Sequence, residues 1–208
     1  MEYFYGVLIT LSAISGISLC HELGHLFFIK LLLTIPIKEF SLGIGSILYK
    51  KTNFSIRIMP FMSYVDFEFK DGTEKWRKVL VFMGGFFSNI LLSCILFFVI
   101  RNVWLQTIDK ILLLPTNFGI GPVSLLIFMK NLSGLGWESI ILFFSLFSLF
   151  AGLINLLPLP ALDGGWIVAT IFGKEKEYEK LANKSIKILK HPILLIIWLL
   201  SDLILLKP

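Results

Sequence analysis

Charge is what this sequence has least of. Asp, Glu, Lys and Arg make up only 16% of its 208 residues, where soluble domains run near 25%. With 56% of the chain hydrophobic and a mean hydropathy of +0.85, there is too little polar surface to clothe a water-facing exterior. That excludes an ordinary soluble domain and a disordered chain. Cysteine is nearly absent. Cys20 and Cys94 both fall inside apolar runs, which excludes a disulfide scaffold and reads as two small buried residues. Repeats and low-complexity tracts are missing too. What remains is a small integral membrane protein, read as one domain over residues 1–208.

Uncharged stretches place the membrane spans. Residues 3–20, 79–100 and 139–162 carry no charge over 18, 22 and 24 residues, against about 20 needed to cross the hydrocarbon core as a helix. The first resumes beyond His21, Glu22 and His25, to give a span over 3–29. A shorter apolar run at 192–206, containing Asp202, is counted as a fourth. Residues 111–129 are also uncharged but hold Pro115, Gly119, Gly121 and Pro122. Helix breakers at that density read as a re-entrant or interfacial segment. The N-terminal run has no basic leader and no small-residue cleavage site, so it reads as a retained span.

Lys and Arg outnumber Asp and Glu by 19 to 14. The positives flank apolar runs, so they record orientation rather than a nucleic-acid surface. Residues 30–78 hold nine Lys/Arg, 101–138 three and 174–191 six. The positive-inside rule then puts the first and third loops in the cytoplasm and both chain ends outside. A fifth crossing would split the two basic loops. The expected fold is therefore a membrane all-α bundle of four transmembrane helices with one β-rich insertion. That insertion is residues 37–69, where Phe54, Ile56 and Ile58 alternate with Ser55 and Arg57, and Val65, Phe67 and Phe69 with Asp66 and Glu68. Period-two patterning predicts short strands at the membrane face. Asp71 and Glu74 read as a capping pair opening the second span, and the charge-alternating run 174–190 as a solvated helix.

His21-Glu22-Leu23-Gly24-His25 carries the chemistry. On a helix, residues i and i+4 share a face, so both imidazoles can reach one zinc ion while Glu22 stands beside them as a proton acceptor. The motif lies within a span, about 13 Å from Lys30 at ~1.5 Å per residue. Ionisable groups at that depth cost about 2.5–3.5 kcal/mol each on insertion scales and call for a compensating partner. A bound metal is one. A catalytic zinc needs a third protein ligand, and the candidates inside apolar segments are Asp163 and Asp202. Asp163 follows Pro158 and Pro160, which break the third span, and precedes Gly164-Gly165, which permits a tight turn. Asp202 lies near the outer end of its helix and reads as a side chain reaching back to water. The first and third spans both run inward, which puts Asp163 at the depth of the histidines.

These residues resemble the bacterial site-2 proteases, intramembrane zinc metallopeptidases. The likeness covers most of the chain. Its strongest parts are His21 to His25 and Asn155-Leu156-Leu157-Pro158-Leu159-Pro160-Ala161-Leu162-Asp163-Gly164, which is similar to the family's NxxPxPxLDG. Pro60 to Val65 resembles the membrane-associated β-segment, and Gly85 to Asn89 a GxxxN motif. Met62-Ser63 stands where the family has a glycine pair, and Phe86 where it often has proline. About 37 residues separate the second and third spans, too few for a PDZ domain. The chain thus resembles a short regulator-of-sigma-E protease without PDZ domains. The resemblance implies His21, His25 and Asp163 as zinc ligands, Glu22 as catalytic base, and Asn89, Tyr64 and Asn155 near the substrate. It also implies a transmembrane or membrane-inserted peptide as substrate and a bacterial inner or plasma membrane as location, the site toward the cytoplasm. The competing readings are a catalytically silent membrane-binding relative and a metal transporter, although transporters usually show several intramembrane sites and this chain has one cluster.

Overall fold

In the computed structural model, helix α1 (Glu2–Phe28) continues into a π-helical turn, Ile29–Leu33. Four strands follow: β1 (Ile37–Leu42), β2 (Ile44–Lys51), β3 (Phe54–Met59) and β4 (Tyr64–Phe67). Helices α2 (Lys75–Val99), α3 (Trp104–Leu112), α4 (Trp137–Asn155), α5 (Asp163–Phe172) and α6 (Glu175–Leu189) complete the chain. The structure describes residues 2–33, 35–59, 62–113, 127, 128, 130–132 and 134–189.

Among the described residues, three helical segments are long and apolar enough to cross a bilayer: Leu11–Leu33, Lys75–Val99 and Trp137–Asn155. Their burial is inverted relative to a water-soluble bundle. α4 turns Ser139, Leu142, Ser145, Ser148 and Gly152 inward and Phe147, Phe150, Leu153 and Ile154 outward. α2 buries Val81, Gly84, Gly85, Asn89 and Ser93 and exposes Phe87, Leu91, Ile95 and Phe98. Large apolar side chains gain little by hiding from lipid tails, so membrane helices associate through small residues and interhelical hydrogen bonds. Here Ser145 Oγ donates to Ser93 O and Ser148 Oγ to Asn89 O, each at 2.9 Å. α1 and α2 touch backbone to backbone: a Cβ on Gly24 would fall 2.1 Å from the Gly84 carbonyl oxygen. Cys94, expected to be buried, is exposed on α2, because it lies off the inward-facing row of Val81, Gly85, Asn89 and Ser93.

The expected fourth span at 192–206, with Asp202, lies outside the described residues, as do His191 and most of the segment 111–129. The second span opens at Lys75, earlier than the uncharged run, because Trp76, Arg77 and Lys78 are helical as well. Its expected capping pair does not form. Glu74 takes the N-cap position without a side-chain cap and instead pairs with Arg77 at 2.8 Å. α4 stops at Asn155 rather than reaching residue 162, since Pro158 and Pro160 have no N–H to donate.

The sheet order is β2-β3-β1-β4. β1 pairs parallel with β3 (Phe40 with Phe54, Ser41 with Ser55) and antiparallel with β4 (Phe40 with Val65, Ser41 with Tyr64). Val65, Phe67 and Phe69 pack on Ile29, Ile35 and Val81, where the ends of α1 and α2 meet the sheet. A polar cluster lies among the strands. Arg57 donates to Ser41 Oγ, Glu39 and Tyr64, while Ile56 and Ile58 of the same strand face outward. Ser55 Oγ (2.5 Å) and Tyr64 Oη (2.8 Å) both donate to Glu39. The Ser55 bond, then the Tyr64 bond and the Arg57 guanidinium, hold the Glu39 carboxyl at about 2 against an ordinary 4.5. A carboxyl lowered by folding contributes fully above its unfolded pKa and loses the contribution as pH falls through the folded one. In detergent, the thermal unfolding midpoint is therefore expected to fall between pH 4.5 and 2, and Glu39→Gln to shrink that fall. An acid-titration series of the two proteins checks this.

Candidate metal centre

His21 and His25 stand one turn apart on α1, both on the face turned toward α2 and α5. Asp163 is the first residue of α5. Although it lies 142 and 138 positions further along the chain, its Oδ2 comes 3.0 Å from His21 Nε2 and 3.3 Å from His25 Nε2, and the two Nε2 atoms are 3.1 Å apart. The imidazoles meet edge to face, at 4.8 Å between centroids and 80°. All three side chains are mostly buried, at 11%, 8% and 17% exposure.

The α4–α5 junction puts Asp163 there. After α4 ends, the segment folds back so closely that a Cβ on Gly164 would sit 2.0 Å from the Leu156 carbonyl oxygen. Ala161 takes φ 75°, a left-handed conformation costly for a residue with a Cβ. The Tyr178 hydroxyl of α6 donates to the carbonyls of Leu159 (2.7 Å) and Leu162 (3.1 Å), and its ring packs edge to face on Trp166 at 4.8 Å. Trp166 in turn stacks on Phe82 of α2 at 5.7 Å and 14°. Asp163 is thus clamped from α6 and keyed to α2.

The donor set fits a divalent metal. His25 Nδ1 lies 2.7 Å from the Val81 carbonyl oxygen, which can only accept, so that nitrogen carries the proton. The neutral ring then offers a lone pair at Nε2. Asp163 Oδ2, which offers only lone pairs, is buried without a hydrogen-bond partner. With both rings neutral and protonated at Nδ1, three acceptors would crowd within 3.3 Å and repel one another, and a cation would remove that conflict. The triangle edges of 3.0–3.3 Å also approach the ~3.3 Å edge of a tetrahedron with zinc–ligand bonds of 2.0–2.1 Å. His21, Glu22 and His25 themselves offer ligand atoms within 4.8 Å of one another.

Glu22 is held differently. Its Oε2 accepts from the Val65 backbone N–H of β4 at 3.1 Å. One turn earlier on α1, Ser18 Oγ accepts from the Ser63 N–H at 2.6 Å. Ser63 and Val65 are two apart on an extended segment, so their N–H groups point the same way, away from β1. α1 therefore grips the outer edge of β4 at the level of the histidines.

The expected substrate residues are placed variously. The Tyr64 hydroxyl is engaged with Glu39 and Arg57 in the sheet. Asn155 Nδ2 donates to Ala151 O of its own helix at 3.1 Å. Asn89, buried at 1% exposure, brings its Nδ2 within 3.3 Å of His21 Nδ1. Sequence reasoning missed the backbone partners, Val65 N–H and Val81 O, which no side-chain pattern betrays. It also missed Tyr178, whose signal was a lone aromatic within a run of alternating charges.

Fold and site together define a membrane protein with a histidine–carboxylate metal centre set among its spanning helices. The profile of peptidase family M50, the site-2 proteases, matches residues 9–200, and the chain belongs to that family. It is 35% identical over 97 residues to a protein of Fusobacterium nucleatum that bears the name of a zinc metalloprotease, a match covering 40% of this chain and 28% of the relative. Similarly named proteins of Clostridium acetobutylicum and Clostridium perfringens are 28% and 30% identical over 125 and 105 residues, covering 52% and 44% of this chain and 37% and 31% of theirs. The chain spans about a third of the length of the curated relatives it matches.

Proposed function

We propose that the chain is an intramembrane zinc metalloendopeptidase that hydrolyses peptide bonds of membrane-inserted substrates. One observation carries the reading: His21, His25 and Asp163, from two distant segments, point their ligand atoms at one spot beside a helix that crosses the membrane. These three residues would hold the zinc. Bound there, zinc supplies the Lewis acidity that makes water a better nucleophile, and a peptide carbonyl a better electrophile, near neutral pH.

The chain's own groups supply the rest. Glu22 takes a proton from the attacking water and delivers it to the amine nitrogen as the C–N bond breaks. A helical substrate has its carbonyls already hydrogen-bonded, so it must open into an extended strand. β4 is one of the two edge strands of the sheet and stands against Glu22, where a strand can add edge to edge. A carbonyl of that strand accepting from the Val65 N–H displaces Glu22 and frees its carboxylate for the proton transfer. The basic loops support an orientation with the site toward the cytoplasm.

Metal removal tests the reading. The purified protein in lipid vesicles is expected to cleave a co-inserted transmembrane peptide, to lose that activity on chelation and to regain it with about one equivalent of zinc. Mass spectrometry of the products reads the outcome. Cleavage that survives complete chelation sinks the proposal.

A further inference from the structure

Val81, Gly85 and Asn89 stand at four-residue intervals on one face of α2, and each meets one of the two histidines. The Val81 carbonyl takes His25 Nδ1 at 2.7 Å. Gly85 lies against the flat of the other ring, since a Cβ there would fall 2.2–2.5 Å from three atoms of the His21 imidazole. Asn89 reaches the far side of that ring, its Nδ2 3.3 Å from His21 Nδ1, while its buried Oδ1 has no partner. α4 fixes the asparagine: Ser148 donates to its backbone carbonyl at 2.9 Å, and Gly152 leaves room beside it, where a Cβ would sit 3.2 Å from the asparagine's own.

The amide can face the ring in two ways, related by a half turn that exchanges nitrogen and oxygen. With nitrogen toward the ring, His21 Nδ1 must accept, and the ring proton moves to Nε2, where it points into the Asp163–His25 triangle and closes that nitrogen to a metal. With oxygen toward the ring, Nδ1–H donates to Oδ1, the orphaned acceptor gains its partner, and Nε2 presents a lone pair. We propose that Asn89 is a positioning residue that accepts the His21 Nδ1–H, as Val81 O does for His25, with Gly85 as the slot that admits the ring. The GxxxN spacing is then a seat for a ligand histidine rather than a substrate contact. This rests on the zinc-site reading above.

Zinc affinity, measured by competition with a chromophoric chelator, tests the assignment in wild type, Asn89→Leu and Asn89→Asp. Leucine removes the acceptor at similar volume and is expected to weaken zinc about 10–100-fold, the cost seen when such outer partners are lost. Aspartate keeps the acceptor, loses the donor and adds a carboxylate that can still take the Nδ1–H, so its zinc affinity is expected to stay within a few-fold of wild type. Asn89→Ala repeats the measurement where the leucine variant does not fold. Wild-type zinc affinity in both the leucine and aspartate variants, with KM raised in both, overturns the proposal in favour of a substrate contact. Equal losses in both variants overturn it in favour of packing alone. Wild-type protein that binds no zinc, or keeps its zinc after His25→Ala, overturns the zinc reading itself and this proposal with it.

Discussion

Glu22→Gln is expected to keep its zinc and lose its peptidase activity. The substitution changes very little else. Glutamine is isosteric and retains an oxygen that can accept from the Val65 N–H, so the contact between α1 and β4 at 3.1 Å survives. His21, His25 and Asp163 keep their geometry, because none of their described hydrogen bonds runs through Glu22. What disappears is the capacity to hold a proton between water and the leaving amine. General-base catalysis is worth about 10²–10⁴ in rate, so kcat is expected to fall by at least about 100-fold while KM changes little. Cleavage of a vesicle-embedded peptide, measured beside metal content, checks both halves. A variant that cleaves at the wild-type rate removes Glu22 from the chemistry.

That test separates two roles which the one-dimensional sequence merges. In the string His21-Glu22-Leu23-Gly24-His25 the glutamate is simply adjacent, and only the fold shows that it faces a strand edge while the histidines face Asp163. The parts legible in advance are those written in side-chain type and period. Uncharged runs mark lipid crossings because hydrocarbon tolerates few charges, and three of these runs are helices here. Alternation at 54–58 and 65–69 marks strands because successive side chains point to opposite faces, although the second strand already ends at Phe67. Pro158 and Pro160 mark the end of α4 because they cannot donate.

Other features have no such signature. The parallel pairing of β1 with β3 depends on how β2 loops out between them, and alternation is blind to strand direction. The sheet also reverses a soluble expectation. Ser41 and Ser55 are fully buried while Ile56 and Ile58 are exposed, since the polar side of these strands closes on itself through Glu39 and Arg57. Gly24 and Gly84 looked like unremarkable residues of two apolar runs, yet their mutual approach sets how near His25 comes to Val81. Backbone partners such as Val81 O exist at every position, so nothing in composition singles out the one that matters.

Asp163→Asn is expected to lose the metal and keep the fold. Asparagine fills the same space at the head of α5. Stability of the metal-free protein therefore changes through the loss of a negative charge from a first helical turn and from beside the two imidazoles, with side-chain volume unchanged. Zinc binding is another matter. The variant replaces an anionic ligand with a neutral amide at the apex of a triangle whose edges are 3.0, 3.1 and 3.3 Å. Loss of an outer partner already costs about 10–100-fold, so loss of a direct ligand is expected to exceed about 100-fold, and activity at limiting zinc to fall in step. Set beside Glu22→Gln, the measurement discriminates between two ways of completing the site. Glu22 also lies among the potential ligand atoms within 4.8 Å. If Glu22 completed the zinc shell and Asp163 were a bystander, Glu22→Gln would release the metal and Asp163→Asn would retain it. The geometry argues for the reverse. Glu22 has a partner in Val65, whereas Asp163 Oδ2 lies buried between two imidazole nitrogens with no hydrogen bond of its own, the position from which it can join both histidines on one cation.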